Sequence, residues 1–193
     1  MADARLAREV IQPDEMLGRL GAFNTVSARS NKLLIDHVAD YLAGHGIIAK
    51  TQISPDGAKA DLIATIGPNE PGGVILSGHT DVVPVEGQDW QSDPFAMRAE
   101  AGRLYGRGTA DNKGQHSVNI GGLAAVIAAR GALGFNSKVL IETGEEIGSM
   151  GLREFCTEHA DGLLAADLFL SSDGPRIAPD MPTLFLGARG VYP

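Results

Sequence analysis

Gly73-Val-Ile-Leu-Ser-Gly-His-Thr-Asp81 is the stretch on which the reading of this chain turns. An apolar run bounded by glycine reads as a buried strand. His79 and Asp81 then follow two residues apart, where the strand gives way to a loop. A carboxylate at that spacing can accept the imidazole's second N–H. It fixes the tautomer and leaves the other ring nitrogen free for a metal ion.

Working outward, the same alternation recurs. Strands are predicted near 47–52, 61–66, 138–142, 167–171 and 183–186, with short pieces at 95–98 and 103–105. Helices are predicted over 14–21, from Ser30 as N-cap through Leu42, over about 113–130 and over about 149–159. Strands interleaved with helices predict an α/β fold of three layers, a mostly parallel sheet with helices on both faces.

In such sheets ligands bind beyond the carboxyl ends of the strands. Four acidic or histidine motifs fall there. His79 and Asp81 follow 73–77, and Asp111 opens the long helix after Gly106-Arg-Gly-Thr-Ala. Glu145 and Glu146 follow 138–142, and Asp173 follows 167–171. Taken singly, an Asp there is an ordinary N-cap or turn residue, a Glu-Glu pair is a solvated loop, and a lone His is structural. Together the carboxylates would repel one another unless divalent cations joined them. One imidazole with several carboxylates suits zinc, cobalt or manganese better than calcium or copper. Two ions about 3.5–4 Å apart can activate a shared water and polarise a carbonyl. Neighbouring side chains in loop backbone point different ways, so one of Glu145 and Glu146 can bind metal while the other faces the water as general base.

Composition narrows the alternatives. The 193 residues carry a net charge of −8, which favours neither nucleic acid nor an anionic membrane surface. Hydrophobic content of 44% and charged content of 21% describe an ordinary globular protein. The single cysteine, Cys156, allows no internal disulfide and reads as a small helix residue. Met1–Glu15 has no apolar signal-peptide core and no stretch is long enough to span a bilayer, so the cytoplasm is the expected location. His37 is expected on a helix face, His45 in a solvated turn, His116 facing core or solvent, and His159 at a helix end. The glycines near 102–108 do not form a dinucleotide-binding fingerprint.

Several longer strings carry a resemblance. Ser77-Gly-His-Thr-Asp-Val-Val-Pro84, Trp90, Asp93-Pro-Phe95, Leu104-Tyr-Gly-Arg-Gly-Thr-Ala-Asp-Asn-Lys-Gly114 and Glu142-Thr-Gly-Glu-Glu-Ile-Gly-Ser149 occur in order. They resemble the dinuclear-zinc family of acetylornithine deacetylases, succinyl-diaminopimelate desuccinylases, aminoacylases and carnosinase-type dipeptidases. Ser172-Asp-Gly and Pro182-Thr-Leu-Phe-Leu-Gly-Ala-Arg-Gly190 look most like the dipeptidase branch. The resemblance implies that His79 binds one metal, Asp81 orients it and Asp111 bridges. It implies Glu145 as general base, Glu146 on the second metal, Asp173 on the first, and a cis peptide between Asp111 and Asn112. Arg189 is either a substrate-carboxylate contact or structural.

The resemblance further implies an amide hydrolase acting on dipeptides or N-acyl amino acids, with two zinc ions and a homodimeric full-length form. Members of the family are much longer. After a segment like Gly187-Ala-Arg-Gly190 they enter a lid or dimerisation domain, then return to supply a second metal-binding histidine. Residues 1–186 are therefore expected to be the N-terminal part of the catalytic domain, and 187–193 the start of the connection. The competing expectation is a truncated, catalytically weak metal-binding fragment of a deacylase, with part of its sheet uncovered.

Overall fold

The computed structural model describes residues 11–54, 56–68, 70–174, 177–178 and 180–185. Four helices are formed, α1 (Pro13–Gly21), α2 (Lys32–Gly44), α3 (Lys113–Arg130) and α4 (Leu152–His159). The strands are β1 (Ala49–Ile53), β2 (Ala60–Ile66), β3 (Val74–His79), β4 (Arg98–Glu100), β5 (Arg103–Tyr105), β6 (Ser137–Glu142) and β7 (Leu168–Ser171). Five of them form one sheet in the order β1-β2-β6-β3-β7, while β4 and β5 make a separate hairpin.

The sheet is mixed. β3 pairs in parallel with β6 and with β7, whereas β2 is antiparallel to β1 and to β6. Four strands therefore share a direction and β2 alone opposes them. β2 follows β1 through a short turn at 54–59, which returns the chain antiparallel without a crossover.

Strand alternation divides the core between two layers. Leu62, Ala64, Val139 and Ile141 face α1, α2 and α3, where they meet Leu20, Leu34, Ile35, Val38 and Leu123. Ile63, Ile75 and Leu140 point the other way, onto Leu152, Phe155 and Cys156 of α4. The helices thus cover both faces. β7 is an exception: it closes one edge, and its Phe169 is 57% exposed.

Two predicted boundaries shift for physical reasons. Ser30 Oγ accepts from Lys32 N–H, the first amide of α2, at 3.3 Å, but the helix begins one residue later than predicted. The N-cap position is Asn31, whose amide instead exchanges hydrogen bonds with Ala60, donating to its carbonyl at 2.8 Å and accepting from its N–H at 2.9 Å. This staples α2 to β2. The strand predicted over 183–186 is not formed over 183–185, and Leu186 lies outside the described residues. So do Arg189 and the 187–193 connection.

Candidate metal centre

Register brings the site together. His79 pairs with Glu142 across β3 and β6, and Ser77 with Ser171 across β3 and β7. The segments after all three strands therefore leave the sheet side by side. The β6 segment carries Glu145 and Glu146 and the β7 segment carries Asp173. Asp111 arrives from a fourth direction, just ahead of α3.

The chain beyond β3 is pinned by a segment far away in sequence. Val26 forms a parallel bridge with Val82. Val82 N–H donates to Thr25 O at 3.1 Å, and Ser27 N–H to Val82 O at 3.0 Å. Asp81 is held between, fully buried. Beneath His79, Gly78 allows a close approach. A Cβ there would fall 2.8 Å from the buried His116 Nε2 and would collide with Asn112 Oδ1.

The acidic groups converge on one ring nitrogen. His79 Nε2 lies 3.0 Å from Asp111 Oδ1, 3.5 Å from Asp173 Oδ2 and 3.9 Å from Glu145 Oε2. Two sets of ligand atoms fall within 4.8 Å of one another: His79 with Asp111 and Glu146, and His79 with Glu145 and Asp173. The two glutamates thus fall in different sets that share His79. His79 is 1% exposed, while the Asp111 side chain is 65% and that of Glu145 43% exposed. The site is a bowl with a buried His-Asp floor and a carboxylate rim open to solvent.

Asp81 touches more than His79. Ser27 Oγ donates to its Oδ2 at 2.6 Å, Glu145 N–H to Oδ1 at 3.1 Å and Glu146 N–H to Oδ2 at 3.3 Å. His79 Nδ1 lies 2.9 Å from the Asp81 backbone oxygen and 3.4 Å from Oδ1. One residue therefore meets the imidazole through its backbone oxygen, with its carboxylate alongside, and that carboxylate also anchors the turn that presents both glutamates. Burial opposes its ionisation, but the hydrogen bonds from His79, Ser27 and the Glu145 amide outweigh this and lower its pKa. Burial likewise opposes the His79 imidazolium. The Asp81 carboxylate and the charge of Asp173 overcome it and raise the pKa to about 9. Glu146 is raised by burial and by the charge of Asp111.

The donor set fits a cation. Among the described residues, no lysine or arginine forms an ion pair with Asp111, Glu145, Glu146 or Asp173; their one charged partner is His79. The nearby buried Lys113 is committed elsewhere, its Nζ donating to Phe23 O at 2.8 Å, and burial lowers its pKa to about 8. Hard oxygen ligands around one imidazole are a divalent-metal environment. The Asp111–Asn112 peptide is cis.

The other histidines lie apart from this cluster. His37 packs against Phe23 in a tilted pair at 5.5 Å, and His45 meets Tyr41 and His159 meets Phe155 edge-to-face, each at 4.7 Å. His116 is buried under Gly78, and burial lowers its pKa to about 4. Sequence reasoning missed Ser27, whose partner lies 54 residues away, and the polar contacts of Ser172. Neither leaves a local pattern.

The fold and site together are a mixed α/β sheet with a carboxylate-rich cluster at its strand ends. Residues 75–181 match the peptidase family M20/M25/M40, and the chain belongs to that family. It is 37% identical over 130 residues to the acetylornithine deacetylase of Pasteurella multocida, covering 66% of this chain and 33% of the relative. It is 33% identical over 148 residues to the beta-Ala-His dipeptidase of Rattus norvegicus, covering 72% of this chain and 30% of the relative. The crystal structure of human carnosine dipeptidase 1 superposes with a TM-score of 0.75 at 25% identity, over 92% of this chain and 42% of that one. The chain therefore spans about a third of the length of these curated relatives. No described helix is long and apolar enough to cross a membrane.

Proposed function

We propose that this chain carries the metal-holding part of a hydrolase that cleaves amide bonds in dipeptides or N-acyl amino acids. The observation that supports it is the convergence of Asp111, Glu145 and Asp173 on His79 Nε2, with Glu146 in one ligand set with His79 and Asp111. His79 and Asp173 would hold one divalent ion and Glu146 a second, with Asp111 available to both; zinc suits the set best, with cobalt or manganese compatible. Ions bound there supply Lewis-acid polarisation of a carbonyl and acidify a shared water.

The chain's own residues do the rest. Asp81 holds the His79 ring and, through the backbone amides of Glu145 and Glu146, the glutamate turn. Glu145 stands at the solvent-facing rim, where it accepts a proton from the attacking water and returns it to the leaving amine. Arg189 is proposed as a contact for the substrate carboxylate. Small dipeptides and N-acyl amino acids are the substrate class, the cytoplasm the site of action and a homodimer the full-length assembly.

A second reading is a catalytically weak metal-binding portion of a longer deacylase. The single histidine in the cluster among the described residues favours it. Assays with zinc or manganese on β-alanyl-histidine and N-acetylornithine separate the two. Cleavage that disappears in Glu145→Gln supports the first reading. Metal uptake with no cleavage of either substrate supports the second.

A further inference from the structure

Ser172 precedes Asp173 and uses every polar atom it has. Its N–H donates to Ser77 O of β3 at 3.0 Å. Its carbonyl accepts from Asn112 Nδ2 at 2.8 Å. Its hydroxyl lies 3.0 Å from Nδ2 and 3.1 Å from Oδ1 of Asn119, so it can accept from one or donate to the other, whichever way the amide is turned. Three separate pieces of the protein thus meet on one residue: the end of β3, the residue after Asp111, and the second turn of α3.

We propose that Asn112, Asn119 and Ser172 form a latch that sets Asp173 against Asp111 and His79. This rests on the reading of Asp173 as a metal ligand. The physical case is that β7 cannot position Asp173 by packing. β7 is an exposed edge strand paired on one side only, and its residues are exposed on both faces. Asp173 itself lies one residue past the last sheet hydrogen bond. Without the side-chain contacts to α3, the segment carrying it would be tied to the site through Ser172 N–H alone. Asn112 is fully buried, so its bond to Ser172 is also shielded from competing water. Because Asn112 follows Asp111 directly, the latch ties the segment carrying Asp173 to the one carrying Asp111, whose carboxylates lie 3.5 Å and 3.0 Å from His79 Nε2. Metal ligands depend on such supporting hydrogen bonds, whose loss typically weakens metal affinity about 10–100-fold. Asn119, Asn112 and Ser172 are positioning residues and touch no reacting atom.

The test is titration of the metal-free protein with Co²⁺ alone, read by the visible spectrum, for wild type, Asn119→Ala, Ser172→Ala, Ser172→Thr and Asp173→Asn. Urea midpoints of the metal-free proteins are measured alongside. Asp173→Asn is expected to abolish tight uptake of one ion. Asn119→Ala and Ser172→Ala are expected to weaken that same ion about tenfold and leave the other unchanged, with Ser172→Thr restoring it because the hydroxyl is kept. A merely structural role would lower the urea midpoint and weaken both ions together. If Asp173→Asn loses the ion while Asn119→Ala and Ser172→Ala bind both as wild type does, the latch is refuted and the ligand reading stands. If Asp173→Asn binds both ions normally, both fall.

Discussion

Replacing Asp81 with asparagine should be the most damaging single-atom change in this protein. The carboxylate is fully buried and accepts from Ser27 Oγ, Glu145 N–H and Glu146 N–H while flanking His79 Nδ1. Asparagine offers one oxygen in place of two. If that oxygen stays with the Glu145 amide, the new NH₂ group faces Ser27 and Glu146. The serine hydroxyl can reverse and accept, but the Glu146 N–H cannot. One buried N–H left without an acceptor costs about 1–3 kcal/mol, and the remaining bonds lose their charge assistance. Breaking one partner of a buried charge pair costs about 3–5 kcal/mol, so a loss of about 4 kcal/mol is expected in urea unfolding of the metal-free protein at pH 7. A second readout follows from the imidazole. In the wild type, His79 is raised from 6.5 to about 9. That shift stabilises the metal-free fold by about 3 kcal/mol; the contribution is complete below pH 6.5 and is lost as pH rises through about 9. In Asp81→Asn this loss at high pH should shrink, and His79 should titrate well below its wild-type value because the carboxylate's hydrogen bond and charge, the largest causes raising it, are gone. A variant within about 1 kcal/mol of wild type, with His79 still titrating near 9 by NMR, would refute the reasoning.

Other outcomes follow from the same geometry. Metal must displace the His79 proton, so Zn²⁺ affinity measured by chelator competition should rise about tenfold per pH unit up to about pH 9 and then level off; an affinity flat between pH 6 and 8 would count against His79 as a ligand. Gly78→Ala should lose about 1–3 kcal/mol or more in thermal or urea unfolding, because its Cβ meets the buried Asn112 and His116 side chains; unchanged stability would show that these groups yield freely. Phe169→Lys on the exposed edge strand should reduce concentration-dependent association in sedimentation experiments, since uncovered apolar edges recruit partners; association equal to wild type would place the sticky surface elsewhere.

Much of this architecture is legible residue by residue. The apolar run ending at Gly78-His79 marks β3 because a buried strand needs continuous apolar side chains. Gly131, at the left-handed C-cap of α3, stops that helix where the glycine suggests it should. Direction is another matter. Nothing within Asp61–Ile66 tells β2 to run against β6, since that follows from the short turn before it and from which neighbours remain free. Ser30 reads as the helix-start residue, but Asn31 stands at the N-cap position and its amide serves β2, which no local pattern announces. Glu145, Glu146 and Asp173 are legible because they follow strands whose parallel register brings their ends together, whereas Asp111 is brought in by the start of α3. Ser27, Asn112 and Asn119 are not, because a hydrogen bond joining residues more than fifty positions apart imposes no periodicity on either segment. Asp81 shows both sides. Its spacing from His79 is visible in the sequence, but its hold on the glutamate turn exists only in the fold.

The central claim is that the carboxylate bowl around His79 holds divalent metal. A crystal structure of the zinc-loaded protein, with anomalous scattering recorded at the zinc edge, tests it most directly. The account predicts anomalous density beside His79 Nε2, with Asp111, Glu146 and Asp173 oxygens at ligand distance. Full zinc loading with no density at His79, or zinc bound elsewhere while these carboxylates stay apart, would contradict it.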